Sequence, residues 1–413
     1  MSYIKIFGCC LALSIVICLS SYEANARSFG TDHIAYSDSL TQPIIISVKG
    51  GISKGSYQAG LNWGLLRFFQ FANLEFNDPS ARGRVFNEHG QKLRFDLSVY
   101  VGSSAGNING LASAVEWCRS DFIDRDPEES LFWNIWTPVG LNQLFPHEKA
   151  DNNPRAVFTR KYFNEEIFKT LQSYTKTQHL IDDCNVAIGI TLTRQEPQQI
   201  TIGNNDSNLL IDSQRSVAIY ESAVSSINSP ERRLTFRHHP STNSDNPYGM
   251  DPSEYGQLVL PPFGSDQQTN ETLVFRISEA SSAVPFFFEP VKLDYNEHRS
   301  AAGPSSLKTA HFLDGGAFDN NPLSLGLKLF EYEKIRRGYK RPASLIYIDQ
   351  NNRRRSADFQ EEEKTESFGI GALTSFFGGF INSAREYELE VFARDRDTLE
   401  NLNLSITSNG CVI

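Results

Sequence analysis

Twice in the first third of this 413-residue chain, a short apolar run ends in a glycine-rich turn and reopens as helix-spaced apolar residues. Few folds accommodate that unit repeatedly. Ile44-Ile45-Ile46-Ser47-Val48 reads as a buried strand, Gly50 to Gly55 as a turn, and Tyr57, Leu61, Leu65 and Phe68 as one face of a helix. Phe95 to Val101 reads as a second strand. Gly102 to Gly106 is a tight turn, and Ile108, Leu111, Ala112, Val115 and Trp117 predict the helix after it. Further apolar runs lie at Cys184 to Leu192 and Ser344 to Ile348. Strands alternating with helices predict an α/β fold: a three-layer α/β/α arrangement around a mostly parallel central sheet.

The first 26 residues read as an address rather than as structure. Lys5 supplies a positive start, Ile6 to Leu19 is almost unbroken apolar sequence, and Ala24-Asn25-Ala26 has the small-residue spelling of a cleavage site. Export to the periplasm or beyond is therefore expected, with cleavage before Arg27; a retained anchor is the alternative. The leader would take Cys9, Cys10 and Cys18 with it, leaving Cys118, Cys184 and Cys411. Three cysteines form at most one intramolecular pair, and sequence does not choose its members. After Ala26 the chain reads as one domain with a core over about 43–350. Residues 194–270, rich in Ser, Asn, Gln, Pro and Asp, read as a polar insertion with short strands, and 366–413 as a C-terminal helical segment.

Composition narrows the partners. The net charge of −10 excludes broad electrostatic binding to nucleic acid, which needs a positive surface. No stretch after the leader reaches about 18 uninterrupted apolar residues, so no internal membrane span is expected. There is no C-x-x-C and no H-E-x-x-H, so neither a zinc site nor a redox site has sequence support, and no cofactor is expected.

Three motifs carry chemistry. Gly102-Ser103-Ser104-Ala105-Gly106 spells G-x-S-x-G between a strand and a helix. A serine on so sharp a turn needs small neighbours on both sides, and the turn presents Oγ beside the free N–H groups of a helix N-terminus. The competing reading is a tight turn with a capping serine. Gly50-Gly51-Ile52-Ser53-Lys54-Gly55 is again a strand-to-helix turn, whose backbone N–H groups can hold an anion. It fits neither a P-loop nor a dinucleotide fingerprint, which leaves an oxyanion hole or a plain turn. Asp314-Gly315-Gly316, after His311-Phe312-Leu313, places a carboxylate at a strand end, where an Asx turn is the ordinary explanation.

In this order the three motifs resemble those of the patatin-like phospholipases. Lys54 to Gly60 resembles that family's loop exit, Glu279-Ala280-Ser281-Ser282-Ala283-Val284-Pro285 the segment preceding its aspartate, and Asn320-Asn321-Pro322 the stretch after it. The resemblance spans about residues 43–350. It implies a patatin-like fold and a metal-independent serine lipid acyl hydrolase of phospholipase A or lysophospholipase type. Ser104 would be the nucleophile and Asp314 the base of a Ser-Asp dyad. Backbone N–H groups of Gly50, Gly51, Ile52 and Ala105 would form the oxyanion hole. Ile52 departs from the third glycine usual in the family's loop, and a β-branched residue is costly wherever φ must be positive. A catalytically weak lipid-binding or host-interaction protein on the same scaffold is the alternative.

The residues also permit a histidine-containing triad through His298 or His311, although no histidine follows Asp314 to complete the α/β-hydrolase order. The expected substrate is a lipid or phospholipid, met in transient contact with a membrane surface. Phe286-Phe287-Phe288 reads either as an acyl slot or as core. Leu131 to Trp136 reads as core or as an interfacial lid, Phe368 to Ala384 as a buried helix or a lipid contact, and Arg353 to Arg355 as a solvated loop or a phosphate site.

Overall fold

The computed structural model describes residues 40–51, 55–76, 85–87, 90–145, 156–202, 209–225, 232–242, 257–297 and 307–349. The leader, Cys411, Arg353 to Arg355, Phe368 to Ala384 and the expected C-terminal helical segment lie outside them.

The strand–turn–helix units form where the apolar spacing places them. Strand β1 (Thr41–Val48) leads to helix α1 (Gly55–Phe76), and β2 (Arg94–Gly102) to α2 (Ala105–Trp117). A short helix α3 (Leu131–Trp136) and a helix α4 (Phe168–Thr175) precede β3 (Asn185–Ile202). Then come β4 (Leu209–Val224), β5 (Leu234–Arg237), β6 (Gln257–Leu260), α5 (Gln267–Ser281), β7 (Val291–Glu297), β8 (Leu307–Asp314), α6 (Leu323–Arg337) and β9 (Ser344–Ile348).

Strands β9, β1, β2 and β3 lie side by side and parallel. Alternate residues of β1 divide between two cores, as the pleat requires. Ile44, Ile46 and Val48 pack with α1, α2 and α5, whereas Ile45 packs with Val99, Val101 and the leucines of α6. In β2 the alternation slips by one residue, because Ile44 pairs with Leu97 but Ile45 with Val99. Ser98 is the extra residue of this bulge, so Leu97 and Tyr100 reach the same face.

The rest of the sheet departs from the expected mostly parallel arrangement. Strands β3 and β4 form a long antiparallel hairpin, and β4–β5, β6–β7, β7–β8 and β8–β3 are antiparallel as well. The pairings β3–β4, β4–β6, β6–β7, β7–β8 and β8–β3 close on themselves, so this half curls where an open parallel sheet would fan out. The fold is α/β with a mixed sheet. The physical reason lies in the stretch read as a polar insertion. Its residues supply the outer half of β3, all of β4, β5 and β6, and the start of α5, and polar alternation is what half-solvated antiparallel strands carry.

Two ties fix the segment that carries α3. A disulfide joins Cys118, just past α2, to Cys184, just before β3. Glu116, fully buried at the end of α2, accepts a hydrogen bond from the Leu131 backbone N–H at the first turn of α3 and pairs with Arg125 at 3.3 Å. Burial pushes its carboxyl up to about 7, against the pull of the Leu131 N–H and of Arg125 and Arg119.

Candidate active site

The backbone reverses within two residues after β2. Ser104 sits at φ 52°, ψ −127°, where a non-glycine residue is strained, and α2 begins at Ala105. The flanking glycines are steric necessities. A Cβ on Gly102 would lie 2.7 Å from the Asn107 backbone nitrogen, and one on Gly106 2.5 Å from the Val48 carbonyl oxygen. The Ser104 N–H donates to Ser281 Oγ at 3.1 Å, and its carbonyl accepts from Asn107 Nδ2 at 2.6 Å and Ser282 Oγ at 3.1 Å. The strained conformation is therefore held from the end of α5.

Asp314 closes β8 and meets this turn. The Ser104 hydroxyl donates to Asp314 Oδ2 at 2.6 Å, and the Gly316 N–H donates to Oδ1 at 2.7 Å. The Asp314 backbone N–H donates to the Ala283 carbonyl at 2.9 Å, so the segment Ser281 to Ala283 holds Ser104 and Asp314 together. Both side chains are buried. Desolvation pushes the Asp314 carboxyl up to about 6, and the Ser104 and Gly316 hydrogen bonds restrain the rise. Gly315 is pressed against the Thr191 carbonyl, where a Cβ would sit 2.1 Å away.

Of the expected oxyanion loop, Gly50 and Gly51 are described and Ile52 is not. Gly50 lies directly on Ser104: a Cβ there would be 2.9 Å from Ser104 Cβ and 2.5 Å from Asn320 Oδ1. The start of the loop is tied by Gln58 Nε2, which donates to the Lys49 carbonyl at 2.6 Å. Its exit is tied by Asn109 Nδ2 on the Gly55 carbonyl at 3.0 Å. Trp136 covers Gly55 and donates through Nε1 to Asn109 Oδ1 at 2.6 Å, so α3 braces the loop from outside. Ala105 stands in the first turn of α2 beside Ser104, where its N–H precedes the intrahelical ladder.

A cavity of about 260 Å³ opens at Ser104 and Ala105. Ile108, Leu111, Ile135, Trp136, Phe275 and Phe288 supply its apolar walls. The dimensions suit a flexible hydrocarbon chain, to which these apolar walls offer dispersion contact.

A model of the patatin-like phospholipase family matches residues 46–327. The chain belongs to the patatin-like phospholipase family. No match was found among curated proteins.

This patatin-like phospholipase brings Ser104, Asp314, Gly50 and Ala105 to one point. Among the described residues no histidine bonds to Ser104 or Asp314. His311 is exposed on β8, His239 is buried on Glu333 and Ser241, and His298 lies outside the described residues. Of the three phenylalanines expected to form an acyl slot or core, Phe288 lines the cavity, whereas Phe286 is 56% exposed. Leu131 to Trp136 is divided. Leu131 and Phe132 are core, Ile135 and Trp136 wall the cavity, and Trp133 is exposed. Asn107, Ser281 and Glu116 were not singled out by chemistry in the sequence. Polar residues inside an apolar helical pattern were the available signal, and each proves to be buried with a backbone partner.

Proposed function

We propose that the protein is an exported serine lipid acyl hydrolase of phospholipase A or lysophospholipase type, working through a Ser104–Asp314 dyad. The observation that carries the reading is the 2.6 Å hydrogen bond from Ser104 Oγ to Asp314 Oδ2 at the end of an apolar cavity.

Ser104 Oγ attacks the ester carbonyl as its proton passes to Asp314 Oδ2. A free carboxylate is a poor base for an alcohol. Burial that pushes Asp314 to about 6 makes it a better one while leaving it ionised at neutral pH. The oxyanion is received by N–H groups of the loop after β1, at Gly50, Gly51 and Ile52, and by that of Ala105, each worth roughly 3 kcal/mol. The departing alcohol takes the proton from Asp314. Water then attacks the acyl-enzyme, gives its proton to Asp314, and the fatty acid leaves as Ser104 is reprotonated. None of these steps uses a metal.

Export is supported by the leader-like first 26 residues and by the Cys118–Cys184 disulfide, since such bonds persist in oxidising compartments. Labelling with a fluorophosphonate tests the dyad. Wild type is expected to react at Ser104 with full activity in the presence of a chelator. A folded protein that is not labelled would instead be the lipid-binding scaffold, and calcium-dependent turnover would point to different chemistry.

A further inference from the structure

The cavity is mostly apolar, with one pair of opposite charges in its wall. Arg160 and Glu279 both line it, and each acts on the other's ionisation through its charge. Arg276, paired with Glu279 Oε2 at 3.1 Å, has a side chain 38% exposed, so this charged cluster reaches solvent.

Glu279 itself is only 7% exposed, and its Oε1 has no hydrogen-bond partner. A buried carboxylate oxygen without a donor forfeits its hydration and regains nothing. Burial raises the Glu279 carboxyl above its ordinary range and lowers the Arg160 guanidinium below its own. Arg160 is held in place by the Glu289 carbonyl and by stacking of its guanidinium carbon 5.2 Å from the centre of the Phe288 ring. Ser278 Oγ, on the same cavity wall and also buried, has no partner either. The cavity wall thus holds a cation and, beside it, an acceptor that lacks a donor.

We propose that this part of the cavity wall is a head-group subsite for a phosphoester bearing a primary ammonium, an ethanolamine-type phospholipid, with Arg160 receiving the phosphate and Glu279 Oε1 the ammonium. The assignment rests on the hydrolase reading of Ser104 and deepens it. Charge and hydrogen bonding select this chemistry together. A trimethylammonium group has no N–H to give Oε1. A glycerol head group brings only a neutral hydroxyl donor, whose hydrogen bond to a carboxylate is weaker than that of an ammonium. An ethanolammonium supplies both the N–H and the charge.

The test uses phospholipids with identical acyl chains and ethanolamine, N-methylated ethanolamine, choline or glycerol head groups. Wild type is expected to favour ethanolamine over choline in kcat/KM by about tenfold, the value of one charge-assisted hydrogen bond, with a stepwise fall on methylation. Glu279→Gln should collapse that ratio toward unity. Arg160→Gln should lower turnover of every phosphate-bearing lipid relative to diacylglycerol. Equal wild-type turnover of ethanolamine and choline lipids, or a ratio unmoved by Glu279→Gln, overturns the proposal. Binding separates this inference from the one beneath it. Ser104→Ala protein should bind micelles of the ethanolamine lysophospholipid about tenfold more tightly than those of the choline one. That preference in a wild type without turnover would sink the hydrolase reading and keep the subsite; turnover without preference would do the reverse.

Discussion

Asp314 pairs with Leu192 on the edge of β3 that β2 leaves free. Gly102, the last residue of β2, is paired with Ile190 on that same edge, two residues earlier. Continuing the register of β2 by two residues reaches Ser104 at the level of Leu192. The Ser104 hydroxyl and the Asp314 carboxylate therefore meet because two strands, running in opposite senses, end against each other on one neighbour. Their 2.6 Å contact is a consequence of sheet register.

A dyad built this way should behave as one unit. Ser104→Ala and Asp314→Asn are each expected to lower kcat for a medium-chain ester by about 10⁴-fold, and the double variant by no more than either alone. Steady-state rates on the three purified proteins, with circular dichroism to verify folding, give the comparison. Additive losses would mean that the two groups act separately.

The Asp314 carboxyl, pushed up to about 6 by burial, fixes the acid side of the pH profile. The base must be ionised, so kcat/KM should fall about tenfold per pH unit below that value and level off above it. The stability consequence has the opposite sign. A carboxyl raised from 3.8 stabilises the fold fully below 3.8, and this contribution is lost as the pH rises through about 6. Above pH 6 the native state carries a cost of about 3 kcal/mol. Asp314→Asn should therefore resist urea better than wild type at pH 8, with the difference vanishing near pH 4. Equal midpoints at pH 8 would contradict a desolvated carboxylate.

Gly50 offers a way to disturb the loop with Ser104 left in place. A methyl group at this position would meet Ser104 Cβ at 2.9 Å and Asn320 Oδ1 at 2.5 Å. Gly50→Ala is expected to lower kcat by about 10²-fold, as loss of an oxyanion donor does, with a smaller effect on KM. A variant with undiminished kcat would detach the loop from the chemistry.

The Cys118–Cys184 bond closes a loop of 66 residues. Loop-closure entropy assigns such a link about 4 kcal/mol. Cys118→Ala combined with Cys184→Ala should lower the denaturation midpoint accordingly, and dithiothreitol should do the same to wild type but not to the double variant. Mass spectrometry of the unreduced protein checks the pairing itself.

Legibility in the sequence followed the range of the interactions. The Ser104 elbow was readable because its demands are local: Gly102 and Gly106 must lack a Cβ to let backbone atoms within a few residues, and the adjoining β1, come close. The strands at Ile44 to Val48 and Ser344 to Ile348 were readable from β-branched apolar runs buried on two faces. Residues 194–270 misled because antiparallel strands with one wet face share their composition with loops. Asn107, Ser281 and Ser282 carry no pattern of their own. Their role is to satisfy the Ser104 N–H and carbonyl across 3 to 178 residues of sequence.

By itself, the sequence determined that a serine would stand strained between a strand and a helix, since steric limits on φ and ψ act within a few bonds. The family resemblance implies Asp314 as its partner, but only the tertiary structure brings the two into contact. Strand partners are chosen by hydrogen bonds and burial summed over the whole sheet, and no local pattern at Asp314 encodes that β8 runs antiparallel onto the vacated edge of β3.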